Sequence, residues 1–108
     1  MVYNYITIEA NRINFFLDDM LSEQEKCYQL ALNLHNEAIR VFRGTNYQYP
    51  IKFILKKKEV PPYLVERLRY LFLNKTFYVF EREGFFKKKI LIFPPTIIPY
   101  DFFSFEDW

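Results

Sequence analysis

The sequence predicts an α+β fold: an approximately four-stranded, mainly antiparallel sheet with one long helix and one or two short helices on one face. The expected element order is β-α-α-β-α-β-β. Three observations lead there. Two aromatic-rich apolar runs flank Glu83-Gly84 between Thr76 and Phe93, which reads as a hairpin. A long stretch after Ser22 places apolar residues three and four apart, the spacing of a helix face. Short runs at Val2–Ile8 and Ile51–Lys56 alternate apolar with polar residues, as half-buried strands do. At 108 residues the chain has room for one core. Its 51% hydrophobic and 21% aromatic content excludes a disordered chain. Residues 1–93 form the expected domain, and 94–108 an acidic tail rich in proline and aromatic residues.

The first strand, Val2–Ile8, puts Tyr3, Tyr5 and Thr7 on one face and Val2, Ile6 and Ile8 on the other. Ile13, Phe16, Leu17, Met20 and Leu21 then repeat at helical spacing, with Asn11 as N-cap. Ser22 and Glu25 form a capping box, which starts the main helix at Glu23. That helix runs to Arg43, and Gly44 is its expected stop. Its apolar stripe is Cys27, Leu30, Ala31, Leu34, Ala38, Val41 and Phe42, widened by Tyr28, Leu32 and Ile39.

A strand at Ile51–Lys56 turns Ile51, Phe53 and Leu55 inward. Lys56, Lys57 and Lys58 follow, and then Pro61-Pro62, residues suited to a first helical turn. The short helix expected from Pro61 to Leu73 buries Leu64, Val65, Leu68, Leu71 and Phe72. It turns Tyr63, Arg67, Tyr70 and Asn74 outward.

In the hairpin, a two-residue turn at Glu83-Gly84 exploits glycine's tolerance of positive φ. Phe80 then opposes Lys87, Tyr78 opposes Lys89, and Arg82 opposes Phe85. One face gathers Tyr78, Phe80, Arg82, Phe85, Lys87 and Lys89. The other gathers Phe77, Val79, Phe86, Ile90 and Ile92 as core, with Glu81 diagonal to Lys88.

The net charge of +2 conceals segregation. Residues 51–93 hold eleven bases against four acids, while residues 1–50 carry −2 and the tail −3. A local basic field attracts polyanions whatever the total charge. Rings alternating with cations suit single-stranded nucleic acid, because rings stack bases while Lys and Arg neutralise the phosphates. Lys56, Lys57, Lys58, Arg67 and Tyr70 extend that surface. The expected function is therefore a small, non-enzymatic nucleic-acid-binding protein preferring single strands. The alternative is a protein-interaction or inhibitor module, a homodimer among its forms, using the exposed aromatics of hairpin and tail.

Phe102, Phe103, Phe105 and Trp108 among acids resemble the acidic, aromatic-ended tails of several single-stranded DNA-binding proteins. That resemblance implies a tail that regulates binding or recruits a partner. The strand, helix and basic hairpin from Ile51 onward loosely resemble the second half of a winged helix, but the extra helix before the recognition helix is missing.

No cofactor or metal is expected. Asp18-Asp19 diverge by about 100° on a helix, and the two glycines form no phosphate-cradling loop. Cys27 and His35 stand about two helical turns apart, too far for a nucleophile–base pair. One cysteine fits an intracellular setting. No apolar run reaches the roughly 18 residues of a membrane helix. The excess of Phe, Tyr, Lys, Ile and Asn matches AT-rich codons, as in a virus or mobile element.

Overall fold

Residues 5–9, 22–73 and 76–97 are described by the computed structural model. Strand β1 (Ile6–Glu9) is followed by helix α1 (Glu23–Gly44) and strand β2 (Ile51–Lys56). A single 3-10 turn (Lys57–Glu59) leads to helix α2 (Leu64–Phe72), then strands β3 (Tyr78–Glu83) and β4 (Lys87–Phe93). The sheet order is β1-β2-β4-β3. β1 pairs parallel with β2, and the other two ladders are antiparallel. This is the expected α+β arrangement. The helix expected around Ile13–Leu21 and the start of the first strand lie outside the described residues.

The N-cap half of the capping box forms where the sequence placed it, and the Glu25 carboxylate meets the Ser22 hydroxyl rather than its amide. The Ser22 hydroxyl accepts the Glu25 amide at 3.2 Å and donates to the Glu25 carboxylate at 3.0 Å. Two acids in the first turn also face the positive end of the helix dipole. Six stripe residues are buried: Cys27, Leu30, Ala31, Leu34, Ala38 and Phe42.

The helix end differs from the expectation. Gly44 is still helical, and Thr45 closes the helix through its amide and hydroxyl, each 3.0 Å from the Val41 carbonyl. The left-handed residues are Asn46 and Tyr47, not glycine. Tyr47 holds that conformation because its amide donates to Phe42 at 2.8 Å while its ring stacks on Phe42 at 5.9 Å.

Ile51, Phe53 and Leu55 on β2 and Ile90 and Ile92 on β4 face the helices and are buried with Leu64, Val65, Leu68 and Phe72 of α2. Phe77 joins this core, with ring centroids 5.3 Å from Phe42 and 4.8 Å from Phe72. His35 is a packing residue at the edge of the same cluster, its ring 4.7 Å from Phe72. Arg69 ties α2 to the sheet by donating to the Val79 carbonyl at 3.2 Å.

Two expectations for the hairpin are corrected. The chain does not reverse at Glu83-Gly84. Phe80 opposes Leu91, Tyr78 opposes Phe93 and Arg82 opposes Lys89, a displacement of four residues along β4. Gly84 pairs with Lys87, donating to its carbonyl at 2.8 Å, and Phe85-Phe86 make the turn. None of these turn residues has positive φ. An even displacement keeps every side chain on its face, so Tyr78, Phe80, Arg82, Lys87 and Lys89 still share one.

The second correction concerns the sheet face away from the helices. It is not an open surface along its whole length. Leu91 and Phe93 are fully buried there, with Tyr5, Phe80 and Ile97 packed on them. Phe80 meets Phe93 edge-on at 6.0 Å. Phe80 is thus half-buried core rather than an exposed stacking ring. The physical reason is that β4 is a central strand, and the run Ile90-Leu91-Ile92-Phe93 supplies apolar residues to both faces. The first tail residues stay with the body. Pro94 is buried, Ile97 donates to the Pro94 carbonyl at 3.1 Å, and the Thr96 hydroxyl donates to the Tyr47 carbonyl at 2.6 Å.

Candidate functional site

The other half of that face, toward the hairpin turn, is cationic. β2 contributes Lys56, β4 contributes Lys87 and Lys89, and β3 contributes Arg82, while Lys52 stands opposite Leu91 at the border of the apolar half. The register sets Lys56 directly opposite Lys87. Neighbouring strands lie about 4.8 Å apart, so these like charges repel, a pairing that ordinarily destabilises a sheet. Lys52 shows the same field: partial burial, then the charge of Lys89, pushes its ammonium below the usual lysine range. Its Nζ lies 5.0 Å from the Tyr5 ring centroid, a cation–π contact.

The opposite side of the hairpin is balanced. Lys88 bonds Glu81 at 3.1 Å and Glu83 at 3.3 Å, and Lys57 reaches Glu83 at 3.5 Å. Burial by itself pushes the Lys88 ammonium down, but the hydrogen bonds and charges of Glu81 and Glu83 outweigh it and hold it above the usual range. Glu83 is drawn down, first by its hydrogen bond from Lys88 and then by the charges of Lys88 and Lys57. Among the described residues no carboxylate forms an ion pair with Lys56, Lys58 or Lys87.

The turn itself is aromatic. Phe85 is 90% exposed and Phe86 79%, their ring centroids 5.7 Å apart. Phe86 was expected in the core, but the true register moves it out to the turn, where its ring stays exposed. Its carbonyl accepts the Lys57 amide at 2.9 Å, which fastens the turn to the lysine run. Lys56, Lys57, Lys58, Lys87, Phe85 and Phe86 therefore gather at one end of the molecule. Tyr78, 43% exposed, lies at the far end of β3 and is separated from them.

The outward face of α2 is also real, but it borders a groove. Tyr63 and Tyr70 are exposed, and Arg67 lies 5.7 Å from the Tyr28 ring centroid. Opposite them stand Glu23, Gln24 and Cys27 of α1, around a space of about 560 Å³. α1 and α2 both begin at this end, since the start of α1 faces the start of α2 while His35 reaches Phe72. Burial pushes the Cys27 thiol up, partly offset by Arg67, so it is a protonated, apolar floor at neutral pH. Tyr63 has φ 65° and ψ 16°, left-handed and uncommon for a bulky residue. Asn74, and the tail residues Phe102, Phe103, Phe105 and Trp108, lie outside the described residues.

Among the described residues no three His, Cys, Asp or Glu side chains are placed to hold a metal, and no helix is long and apolar enough to cross a membrane. No protein-family model, no curated protein and no solved structure matches the chain. Sequence reasoning missed Phe86 and the groove's acidic wall. An exchange of turn position would have revealed Phe86, because a reversal at Phe85-Phe86 exposes both rings. The acidic wall joins residues distant in sequence and carried no local signal.

Proposed function

We propose that the chain binds nucleic acid, single strands in preference to duplex, at the basic end of the sheet. The observation that carries this reading is the convergence of Lys56, Lys57, Lys58 and Lys87 around two exposed phenylalanine rings. A phosphate chain laid over Lys56 and Lys87 relieves their mutual repulsion. Unpaired bases find ring faces at Phe85 and Phe86, whereas bases inside a duplex are already stacked and cannot reach them. Arg82 and Lys89 widen the basic face, and the acidic tail competes for the same cations. An intracellular setting accords with the single unpaired, buried Cys27.

The test is binding of a labelled fifteen-residue oligothymidylate across a salt series, followed by anisotropy. For a single strand, the logarithm of affinity falls by about 0.7 per logarithm of salt for each phosphate neutralised. Four lysines thus give a slope of about −3, and each Lys→Gln substitution at Lys56, Lys58 or Lys87 makes it shallower. No measurable affinity at low salt, or an affinity indifferent to salt, refutes the reading. A stable dimer in light scattering that leaves the Phe85-Phe86 rings protected, together with absent oligonucleotide binding, favours the protein-interaction alternative.

A further inference from the structure

We propose that the groove between the starts of α1 and α2 is a subsite for an unpaired guanine base. This rests on the nucleic-acid reading for its physiological source, and its chemistry can be tested separately. A short segment of chain joins the basic end to the groove: it begins at Lys57 and Lys58 and finishes at Pro62 and Tyr63 on the groove wall. From Lys58 to Pro62 the chain can span at most about 14 Å, so a strand whose phosphates run over the lysines reaches the cavity within a few nucleotides.

The lining suits a base with its phosphate attached. Glu23 and Glu66 are carboxylates, which accept hydrogen bonds from a base edge, and Arg67 in the same lining is a cation that can pair the phosphate. Tyr63 and Tyr70 offer exposed rings against which a planar heterocycle stacks, and the neutral Cys27 thiol closes the floor. A volume of about 560 Å³ lies within the usual range for small-ligand sites. Guanine is the base that places two donors, its ring N1–H and its exocyclic amino group, side by side on one edge. One carboxylate accepts both at once, a charge-assisted two-point contact. Adenine and cytosine offer a carboxylate only the amino group on that edge, and thymine or uracil only the ring N–H. The same edge is occupied in a duplex, so the subsite recognises unpaired bases alone. The left-handed backbone at Tyr63 sits at this wall, where conformational strain of this kind commonly accompanies a binding site.

The experiment titrates the isotope-labelled full chain with guanosine monophosphate and follows backbone amides by NMR. Adenosine, cytidine and uridine monophosphates serve as comparisons. Saturable shifts at Gln24, Glu66 and Arg67 are expected with guanosine monophosphate, at an affinity at least threefold above the other three. Glu66→Gln, at an exposed position, should weaken guanosine monophosphate at least fivefold with the melting temperature preserved. Tyr63→Ala should do the same. No shifts at the groove, equal response to all four nucleotides, or indifference to Glu66→Gln overturns the subsite. So does a proline-rich peptide that shifts these resonances when guanosine monophosphate does not.

A parallel arm compares oligothymidylate with the same strand carrying one central dG. Salt-dependent binding with no dG preference and no groove shifts sinks the subsite and leaves the basic end standing. Groove binding of the mononucleotide without any oligonucleotide binding sinks the nucleic-acid reading and leaves the groove as a guanine-nucleotide site.

Discussion

Replacing Phe85 by alanine separates stacking from both folding and charge. Phe85 is 90% exposed, so only about a tenth of a side chain worth roughly 200 Å² is withdrawn from water. At about 25 cal/mol per Å² the stability at stake is about 0.5 kcal/mol, an upper bound. In a chain of this size that moves the melting temperature by about 2 to 4 °C. A stacked base is worth about 1 to 3 kcal/mol. Affinity for a single strand should therefore fall at least fivefold and up to about 150-fold.

The slope of affinity against salt should not change, because no phosphate contact is removed. Lys87→Gln should do the reverse, making the slope shallower. Phe85→Leu sharpens the test: it keeps apolar volume but removes the π-face. A stacking site loses affinity with Leu, whereas an apolar interface tolerates it. The assays are anisotropy at four or more salt concentrations and thermal melting of each variant. An affinity for Phe85→Ala within twofold of the parent, with the fold intact, would refute the stacking role. A loss matched by a shallower salt slope would show that the ring merely positions the lysines.

Three further outcomes follow from the packing and charge. Phe93→Ala empties a fully buried site bounded by Phe80 and Tyr5. It should cost about 3 to 5 kcal/mol in chemical denaturation, and a loss below about 1 kcal/mol contradicts a second buried cluster. Gly84→Ala should be neutral or stabilising by up to about 1 kcal/mol. Gly84 has no positive φ, and an added Cβ meets only the Lys87 carbonyl at an ordinary 3.5 Å; a clear destabilisation would restore the turn at Glu83-Gly84. Lys88→Met should flatten both limbs of the stability–pH curve. The depressed Glu83 carboxyl contributes stability above its unfolded pKa and loses it as pH falls through the folded value. The raised Lys88 ammonium contributes below its unfolded pKa and loses it as pH rises through the folded value. Unchanged curvature in urea melts from acid to alkaline pH argues against the Glu81–Lys88–Glu83 cluster.

Local periodicity and capping chemistry were legible in the chain because their causes are local. Ser22 and Glu25 started α1, the stripe from Cys27 to Phe42 fixed its buried face, and alternation fixed Ile51, Phe53 and Leu55 inward. The face membership of Tyr78, Arg82, Lys87 and Lys89 was legible for the same reason, since a strand's two-residue period survives an even change of register. The clustering of charge in residues 51–93 was likewise visible by counting.

Tertiary structure decided what depends on neighbours. A lone glycine marked the turn at Glu83-Gly84, but pairing β4 simultaneously with β2 and β3 moved the reversal to Phe85-Phe86. That shift sent Phe86 into solvent and left Phe80 against Phe93. The central position of β4 turned half of the far sheet face into core. The parallel start of α1 and α2 brought Glu23 beside Tyr63, residues no local pattern connects. The sequence by itself determined the buried stripe of α1, the inward residues of β2 and the faces of β3 and β4 away from their turn. Only long-range pairing, where entropy is spent to join distant segments, decided which rings are free and where the basic surface ends.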